Sequence, residues 1–232
     1  KLAATGRLAH SIAHEINNPL TAVMNVLFLL DREPQSEAGK QYLRTANQEL
    51  SRVARITKQT LAFHRETTEP MQVSLTDLLE GVVNLFGPQI SAHSVQIEKD
   101  FRFSGTLQAF PGELQQVFSN LLSNSLEAVP RGGRIRLRTR NSGSNVRVLI
   151  SDNGNGIPEN IRRNIFEAFF TTKQLKGSGL GLWLTMGIVH KHHGTIRVRS
   201  ATTAGKSGTC FAISLPLAQA RSQRQVMEKA AS

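Results

Sequence analysis

The 232-residue sequence contains a single cysteine, Cys210, so no disulfide can form within the chain, and a reducing compartment suits it. Aromatic residues are sparse at 6%, with one Trp and one Tyr. Nucleic-acid surfaces interleave aromatics with basic residues, so nucleic acid is not an expected partner. Long apolar runs are also missing. The longest, Pro19 to Leu30, contains Asn25 and is too short to span a bilayer. No secretory leader is visible, and we expect this part of the protein to be cytoplasmic, with any upstream part either soluble or membrane-spanning. Acidic residues are scarce: 17 Asp and Glu against 28 Lys and Arg leave a formal charge of +11. That balance attracts nucleotides and other anions without choosing among them. A starting Met is lacking too. The sequence opens in mid-helix with Lys1-Leu2-Ala3-Ala4, which reads as a fragment whose upstream part is absent.

What is present divides into two patterns. Residues 1–30 carry Leu2, Ala9, Ile12, Ile16, Val23, Leu27 and Leu30 as one apolar helical stripe. A proline-containing break at 31–36 leads into a second helical run, about 37 to 66. Leu43, Leu50 and Thr57, with Ala46, Val53 and Thr60, form a heptad-like seam there. A short connection between long helices implies an antiparallel hairpin, and two helices alone bury little. A second copy, giving a four-helix bundle, covers them better than packing against the rest of the chain does.

Past a hinge at Thr67-Thr68-Glu69-Pro70 the pattern changes. Helices are expected at 75–87, 111–129 and 182–193, the last capped by Gly194. Strands are expected at 95–99, 134–138, 146–150, 195–200 and 209–215. Helices with a mainly antiparallel sheet make an α+β sandwich of two layers. The expected domains are therefore 1–68 and 69–217, with a polar tail over 218–232.

One stretch of the first helix carries chemistry: His14-Glu15-Ile16-Asn17-Asn18-Pro19-Leu20. His14 falls off the apolar stripe and shares a face with Asn17 and Asn18. A neutral imidazole offers one lone pair, and a neighbouring carboxylate that holds its N–H makes it a better nucleophile. Pro19 cannot donate to the carbonyl of Glu15 and bends the helix just past the histidine.

Three pieces of the second region converge on a nucleotide. Asn120 and Asn124, four apart on one helical face, offer neutral carbonyl oxygens of the kind Mg²⁺ accepts beside phosphates. Asp152-Asn153-Gly154-Asn155-Gly156 ends a strand, where a carboxylate can accept the exocyclic N–H of adenine and glycines let a ring come close. Gly177-Ser178-Gly179-Leu180-Gly181-Leu182 opens a helix, where backbone N–H groups can turn to phosphate. The glycine run alone is weak evidence. It follows no strand and lacks the Lys-Ser/Thr of a P-loop.

In this order the motifs resemble the catalytic core of the sensor histidine kinases of two-component signalling, over about residues 1–217. His14 to Leu20 is similar to the H box of that family, Asn120 to Asn124 to its N box, and Asp152 to Gly156 to its G1 box. Phe166-Glu167-Ala168-Phe169-Phe170 with Thr171-Thr172-Lys173 is similar to the F box, and Gly177 to Leu182 to the G2 box. The resemblance implies an all-α hairpin that dimerises and accepts phosphate, followed by an ATP-binding domain of the Bergerat type shared with gyrase and MutL. It implies that His14 is the phosphoacceptor, Glu15 its general base, and Asn18 the residue that orients water when the partner is dephosphorylated. It gives Asn124 to Mg²⁺, Asn120 to the metal and phosphates, and Asp152 to adenine. It makes Lys173 and the residues after it, Gln174-Leu175-Lys176, a short lid over the phosphates, and gives Thr172 and the Gly177–Gly181 run to nucleotide binding. The implied partner is the receiver of a response regulator, which takes the phosphoryl group on an aspartate, and the implied missing part is an upstream sensory domain. In hydrolytic relatives a glutamate activates water where this chain has Asn120, which is no base, so attack by water should be slow.

Two further features have plainer readings. Arg134, Arg136, Arg138 and Arg140 alternate like a solvated sheet face, as do Arg197 and Arg199. His190, His192 and His193 match no firm metal-ligand spacing and suit a helix C-terminus.

Overall fold

A computed structural model describes residues 19–30, 36–61, 69–172, 179–203 and 205–217. His14, Glu15, Asn18, Lys173, Gly177 and Ser178 lie outside these ranges, as does the expected tail. The chain divides into two compact units, the helices up to residue 61 in one and the elements from residue 69 to 172 and 179 to 217 in the other.

The first unit holds helix α1 (19–30) and helix α2 (Glu37–Leu61). Ser36 starts α2 by accepting the Gly39 N–H at 3.0 Å, and Glu37 in the first turn complements the helix dipole. The expected seam is divided. Ala46 is buried and Val53 half-buried, whereas Leu43 and Leu50 are open. On α1, Val23 is buried while Met24 and Phe28 are 71% and 61% exposed. The single chain therefore leaves an apolar strip in water along both helices. No helix among the described residues is long and apolar enough to cross a membrane.

The second unit starts with strand β1 (Met71–Ser74), helix α3 (Leu75–Leu85) and helix α4 (Gly87–Ala92). Strands β2 (Gln96–Phe101) and β3 (Thr106–Ala109) and helix α5 (Pro111–Ala128) follow. Next come β4 (Arg134–Ser142), β5 (Asn145–Asp152), α6 (Glu159–Arg162), α7 (Gly181–Lys191), β6 (Thr195–Ala201) and β7 (Gly208–Pro216). β1 and β3 form a two-stranded ladder, and the other five strands a mixed sheet in the order β2-β4-β5-β7-β6. Only β2 and β4 run parallel; their connection passes through β3 and α5. The two layers are the ones expected.

Alternation sets the layers. Ile135 and Leu137 on β4, Val146, Val148 and Ile150 on β5, and Phe211, Ile213 and Leu215 on β7 are buried on one face. Leu79 and Val82 of α3, Leu114, Val117, Phe118, Leu121 and Leu122 of α5, and Ile188 and Val189 of α7 join them in one core. α5 packs against both α3 and α7. The other sheet face carries the alternating arginines. Arg134 and Arg136 pair there with Glu98 of β2, and Arg140 with Asp100, as a solvated face does.

Two helix ends differ from the sequence reading. The helix expected to run to 87 ends at Leu85, because Phe86 leaves helical geometry ahead of Gly87-Pro88 and a new helix starts with that proline in its first turn. Gly194 is not the left-handed residue that ends α7. His193 takes that position at φ 57°, and the Gly194 N–H donates to Val189 O in a Schellman arrangement. Glycine is needed at 194 for another reason: a Cβ there would lie 2.5 Å from Ser214 O.

Thr139 is a polar residue on the buried face of β4, with no exposure at all. Its hydroxyl accepts the buried Phe103 N–H at 3.2 Å. Thr139→Val keeps the shape and removes the acceptor, so chemical denaturation should show a loss of about 1–3 kcal/mol. An unchanged midpoint and slope would mean that another acceptor serves Phe103.

Candidate functional site

Asp152 ends β5 with its carboxylate turned into protein. Oδ1 accepts the Gly154 N–H at 3.0 Å and the Thr209 N–H at 3.2 Å, and Oδ2 accepts the Ser125 hydroxyl at 3.0 Å. These bonds reach its own loop, β7 and α5, so one side chain fixes three elements. Burial pushes the Asp152 carboxyl above its ordinary value, against the pull of the Gly154, Ser125 and Thr209 hydrogen bonds. Three donors on two oxygens leave acceptor capacity on Oδ2 for an incoming N–H.

The glycines after Asp152 do more than the sequence reading asked of them. A Cβ on Gly154 would stand 2.5 Å from Ala128 O, and one on Gly156, at φ 76°, would stand 2.0 Å from Ala201 O. They let the loop press between the end of α5 and the β6–β7 hairpin as well as admit a ligand. Ser200 secures the far side. Its Oγ accepts the Ile157 N–H at 2.7 Å and donates to Gly208 O at 2.8 Å.

On α5, Ser125 and Asn124 are neighbours, so the residue that holds Asp152 adjoins the expected metal ligand. Asn120 stands one turn earlier. Its Nδ2 donates to Gly181 O at 3.1 Å and contacts the Thr185 hydroxyl at 3.4 Å. The middle of α5 and the first turns of α7 are thus brought together. With the amide nitrogen committed to α7, the carbonyl oxygen is the atom of Asn120 that can serve a cation. Asn120 and Asn124 offer neutral oxygens, and no group of three His, Cys, Asp or Glu that could hold a metal occurs among the described residues. That donor set suits an Mg²⁺ that takes most of its shell from phosphates and water.

α7 begins at Gly181 with no side-chain cap on its first turn, so a phosphate is chemically suited to that end. Leu180 is 3% exposed, so its side chain belongs to the packing and only its backbone is suited to a ligand. Gly179 sits at φ 66° against Phe169. Its carbonyl accepts the Phe169 N–H at 3.1 Å, and a Cβ on it would fall 2.3 Å from the Phe169 carbonyl carbon. Phe169 is itself left-handed at φ 67°, an unfavourable state for an aromatic residue that the Gly179 contact helps hold. Ile165, Phe166 and Phe170 anchor this segment in the core, and Thr172 ends it at the surface. His192 is engaged by α5, and no histidine metal site forms among the described residues.

The sequence reading missed Ser125, Thr209 and Ser200. A small hydroxyl residue next to Asn124, on the side of α5 that carries Leu121 and Leu122, was the available signal for Ser125. Thr209 and Ser200 become visible only when β5, β7 and β6 are in register, Asp152 opposite Thr209 and Ser200 opposite Thr209.

Comparison with known proteins matches both units. Residues 4–69 match the family described as His Kinase A (phospho-acceptor) domain. Residues 110–219 match the family described as histidine kinase-, DNA gyrase B- and HSP90-like ATPase. Among curated relatives, sporulation kinase A of Bacillus subtilis is 35% identical over 93% of this chain and 35% of its own length. The signal transduction histidine-protein kinase AtoS of Escherichia coli is 34% identical over 94% of this chain and 36% of its own length. The chain spans about a third of the length of each of these two relatives. Among solved structures, histidine kinase ThkA in complex with the response regulator protein TrrA aligns with a TM-score of 0.74 and 26% identity. That alignment covers 95% of this chain and 64% of that one. The catalytic domain of ThkA alone aligns at 0.59 and 28%, over 64% of this chain and 96% of that one. With a phospho-acceptor helical region and an ATPase-type sandwich in that order, the chain belongs to the sensor histidine kinases of two-component signalling.

Proposed function

We propose that this chain transfers the terminal phosphoryl group of ATP to His14 and then to an aspartate on the receiver of a response regulator. In the first step the imidazole attacks the γ-phosphorus, an N–P bond forms, the bridging P–O bond breaks, and ADP leaves. Glu15 takes the imidazole proton. Receiver aspartate then takes the phosphoryl group from the histidine. Asn18 orients water for the reverse duty, hydrolysis of the phosphorylated regulator. Mg²⁺, when bound, screens the phosphate charge, with Asn124 as direct ligand and Asn120 in support. Thr172 and the Gly177–Gly181 run bind the phosphates, and Lys173 with the residues after it covers them.

The observation that carries this reading is the Asp152 carboxylate, held with spare acceptor capacity by Ser125 beside Asn124. It supports an adenine amine at one end of α5 and a metal–phosphate group one turn away. Catalysis then rests on alignment and charge stabilisation, since Asn120 supplies no base for water. The exposed apolar strip of α1 and α2 supports a homodimer through the hairpin, as a four-helix bundle. Transfer runs within one chain or across that dimer. Residues 1–68 and 69–217 act as phosphoacceptor and catalytic domains, with 218–232 as a tail, in a cytoplasmic core driven by a sensory domain upstream.

The deciding experiment is labelling with γ-labelled ATP. Wild type should take up label that is lost in acid, as a phosphoramidate is, and His14→Gln should bind ATP but take up none. Label retained in His14→Gln, or stable to acid, refutes the assignment. Asn124→Ala should lose the Mg²⁺-dependent part of ATP affinity and keep its affinity in chelator; a full Mg²⁺ response in that variant removes Asn124 from the metal.

Asp152→Asn separates binding from stability. The new side chain keeps an acceptor for Gly154 and Thr209 but loses the carboxylate, so ATP affinity should fall about 10- to 100-fold. A raised folded pKa means that this group's stabilising contribution is complete below its ordinary value of 3.8 and is lost as pH rises through the raised value. Apo Asp152→Asn should therefore melt at or above wild type at pH 7, and the advantage should vanish in acid. A variant less stable at pH 7 than at pH 4, relative to wild type, contradicts this.

A further inference from the structure

At the end of the α5–α7 pair away from Asn120 lies a second set of polar contacts. Glu113, in the first turn of α5, has a side chain only 3% exposed. Lys191, in the last turn of α7, bonds Glu113 Oε1 through its Nζ. The next residue, His192, brings Nδ1 to 3.6 Å from Oε2 of the same carboxylate. The His192 ring also joins the two helices through backbone. Its Nε2 accepts the Phe110 N–H at 3.2 Å, which puts the proton on Nδ1, and Nδ1 donates to Ile188 O at 2.9 Å. Lys191 Nζ stands 4.5 Å from the centre of the Phe110 ring, which meets the imidazole edge-on at 5.8 Å.

We propose that Glu113, Lys191 and His192 are positioning residues for the nucleotide. They fix the register of α5 against α7 and so set how Asn120 and Asn124 stand against the first turn of α7. The inference rests on the reading of that end as the nucleotide site. Chain order shows the geometry: Glu113 meets Lys191 and His192, whereas Asn120, seven residues on, meets Gly181 and Thr185. The helices are therefore antiparallel and tied at two places about 10 Å apart along α5. One tie alone would let the helices slide or pivot, and two remove that freedom.

The chemistry of the far tie favours positioning over stability. A buried carboxylate loses its hydration, and a well-packed apolar pair in its place is commonly as stable or more so. Apolar contacts, however, are satisfied in several neighbouring registers. An ion pair combined with an imidazole that bridges a specified N–H and a specified carbonyl is satisfied in one. The charges also lie where the helix dipoles favour them, the acid at the start of α5 and the lysine at the end of α7.

The test uses Glu113→Gln, Lys191→Met, their double variant and Lys191→Arg in the full chain. Affinity for Mg²⁺-ATP is measured by calorimetry, KM and saturated rate by His14 labelling, and unfolding by heat. Each of the first two should weaken ATP binding about fivefold. The double should be no weaker than the worse single, and Lys191→Arg should stay within about twofold of wild type. KM should rise as affinity falls, while the rate at saturating ATP holds. If all variants bind ATP within twofold of wild type, whatever their melting temperatures, the tie is structural only and the proposal is overturned. Additive losses in the double overturn it as well. Should Glu113→Gln not fold, Lys191→Met decides, since its side chain is 42% exposed and leaves room for repair. Wild type that fails to bind ATP defeats the nucleotide reading itself; wild type that binds while the variants match it defeats this inference alone.

Discussion

Much of the second unit depends on one half-buried carboxylate. Asp152 is held by a hydroxyl from α5, an amide from its own loop and an amide from β7. Those donors come from residues 27 and 57 positions away as well as from two positions on, so the bond set cannot form until sheet and helix are docked. Its acidity is therefore a property of the finished fold. Burial resists ionisation, and the three donors oppose burial. The result is a polar group kept in an apolar layer with room for one more donor, which is what recognition of an amine demands.

The glycines around it answer the same constraint from the backbone side. At 154, 156 and 179 a side chain would collide with main-chain atoms of α5, of β6 and of the Phe169 turn. Polar loops can lie this close to a core only if their N–H and C=O groups find partners, and here they do: Asn155 donates to Ala128 O, Ile157 to Ser200 Oγ, and Phe169 to Gly179 O. Closeness of backbone, more than flexibility, explains the glycine content of these motifs. Of the expected phosphate-side residues, Lys173, Gly177 and Ser178 lie beyond the described ranges.

Much of this was legible in the sequence. Strong periodicity gave α5, β4, β5, β7 and the two layers, because each repeats its pattern over eight or more residues. β1 and β3 escaped notice because four residues with one or two buried positions carry no usable period. α4 was not expected, and the helix before it was carried two residues too far, because the apolar spacing runs on through Phe86 and only Gly87-Pro88 marks the restart. At the site, Asn120, Asn124 and Asp152 could be picked out by residue type and spacing. Thr209 and Ser200 could not, since hydroxyl residues on strands gain a role only from register, and Ser125 offered only its place beside Asn124. Glu113 and Lys191 belong with them: 78 positions apart, they are partners through the packing of two helices.

Asn120 shows how fold and reaction constrain one residue together. The hydrolytic alternative would want a glutamate at this place, as a base for water. In this structure the Asn120 side chain donates to the Gly181 carbonyl and meets the Thr185 hydroxyl. A carboxylate has no proton to give Gly181 and would set oxygen against oxygen. Installing the base would therefore break the near tie between α5 and α7 at the point where α7 begins. An amide keeps that tie, offers a neutral oxygen to a cation and leaves water without a proton acceptor. Those three consequences of one side chain favour a nucleotide kept intact until a better-placed nucleophile than water arrives, and the imidazole of His14 is the candidate that the chain supplies.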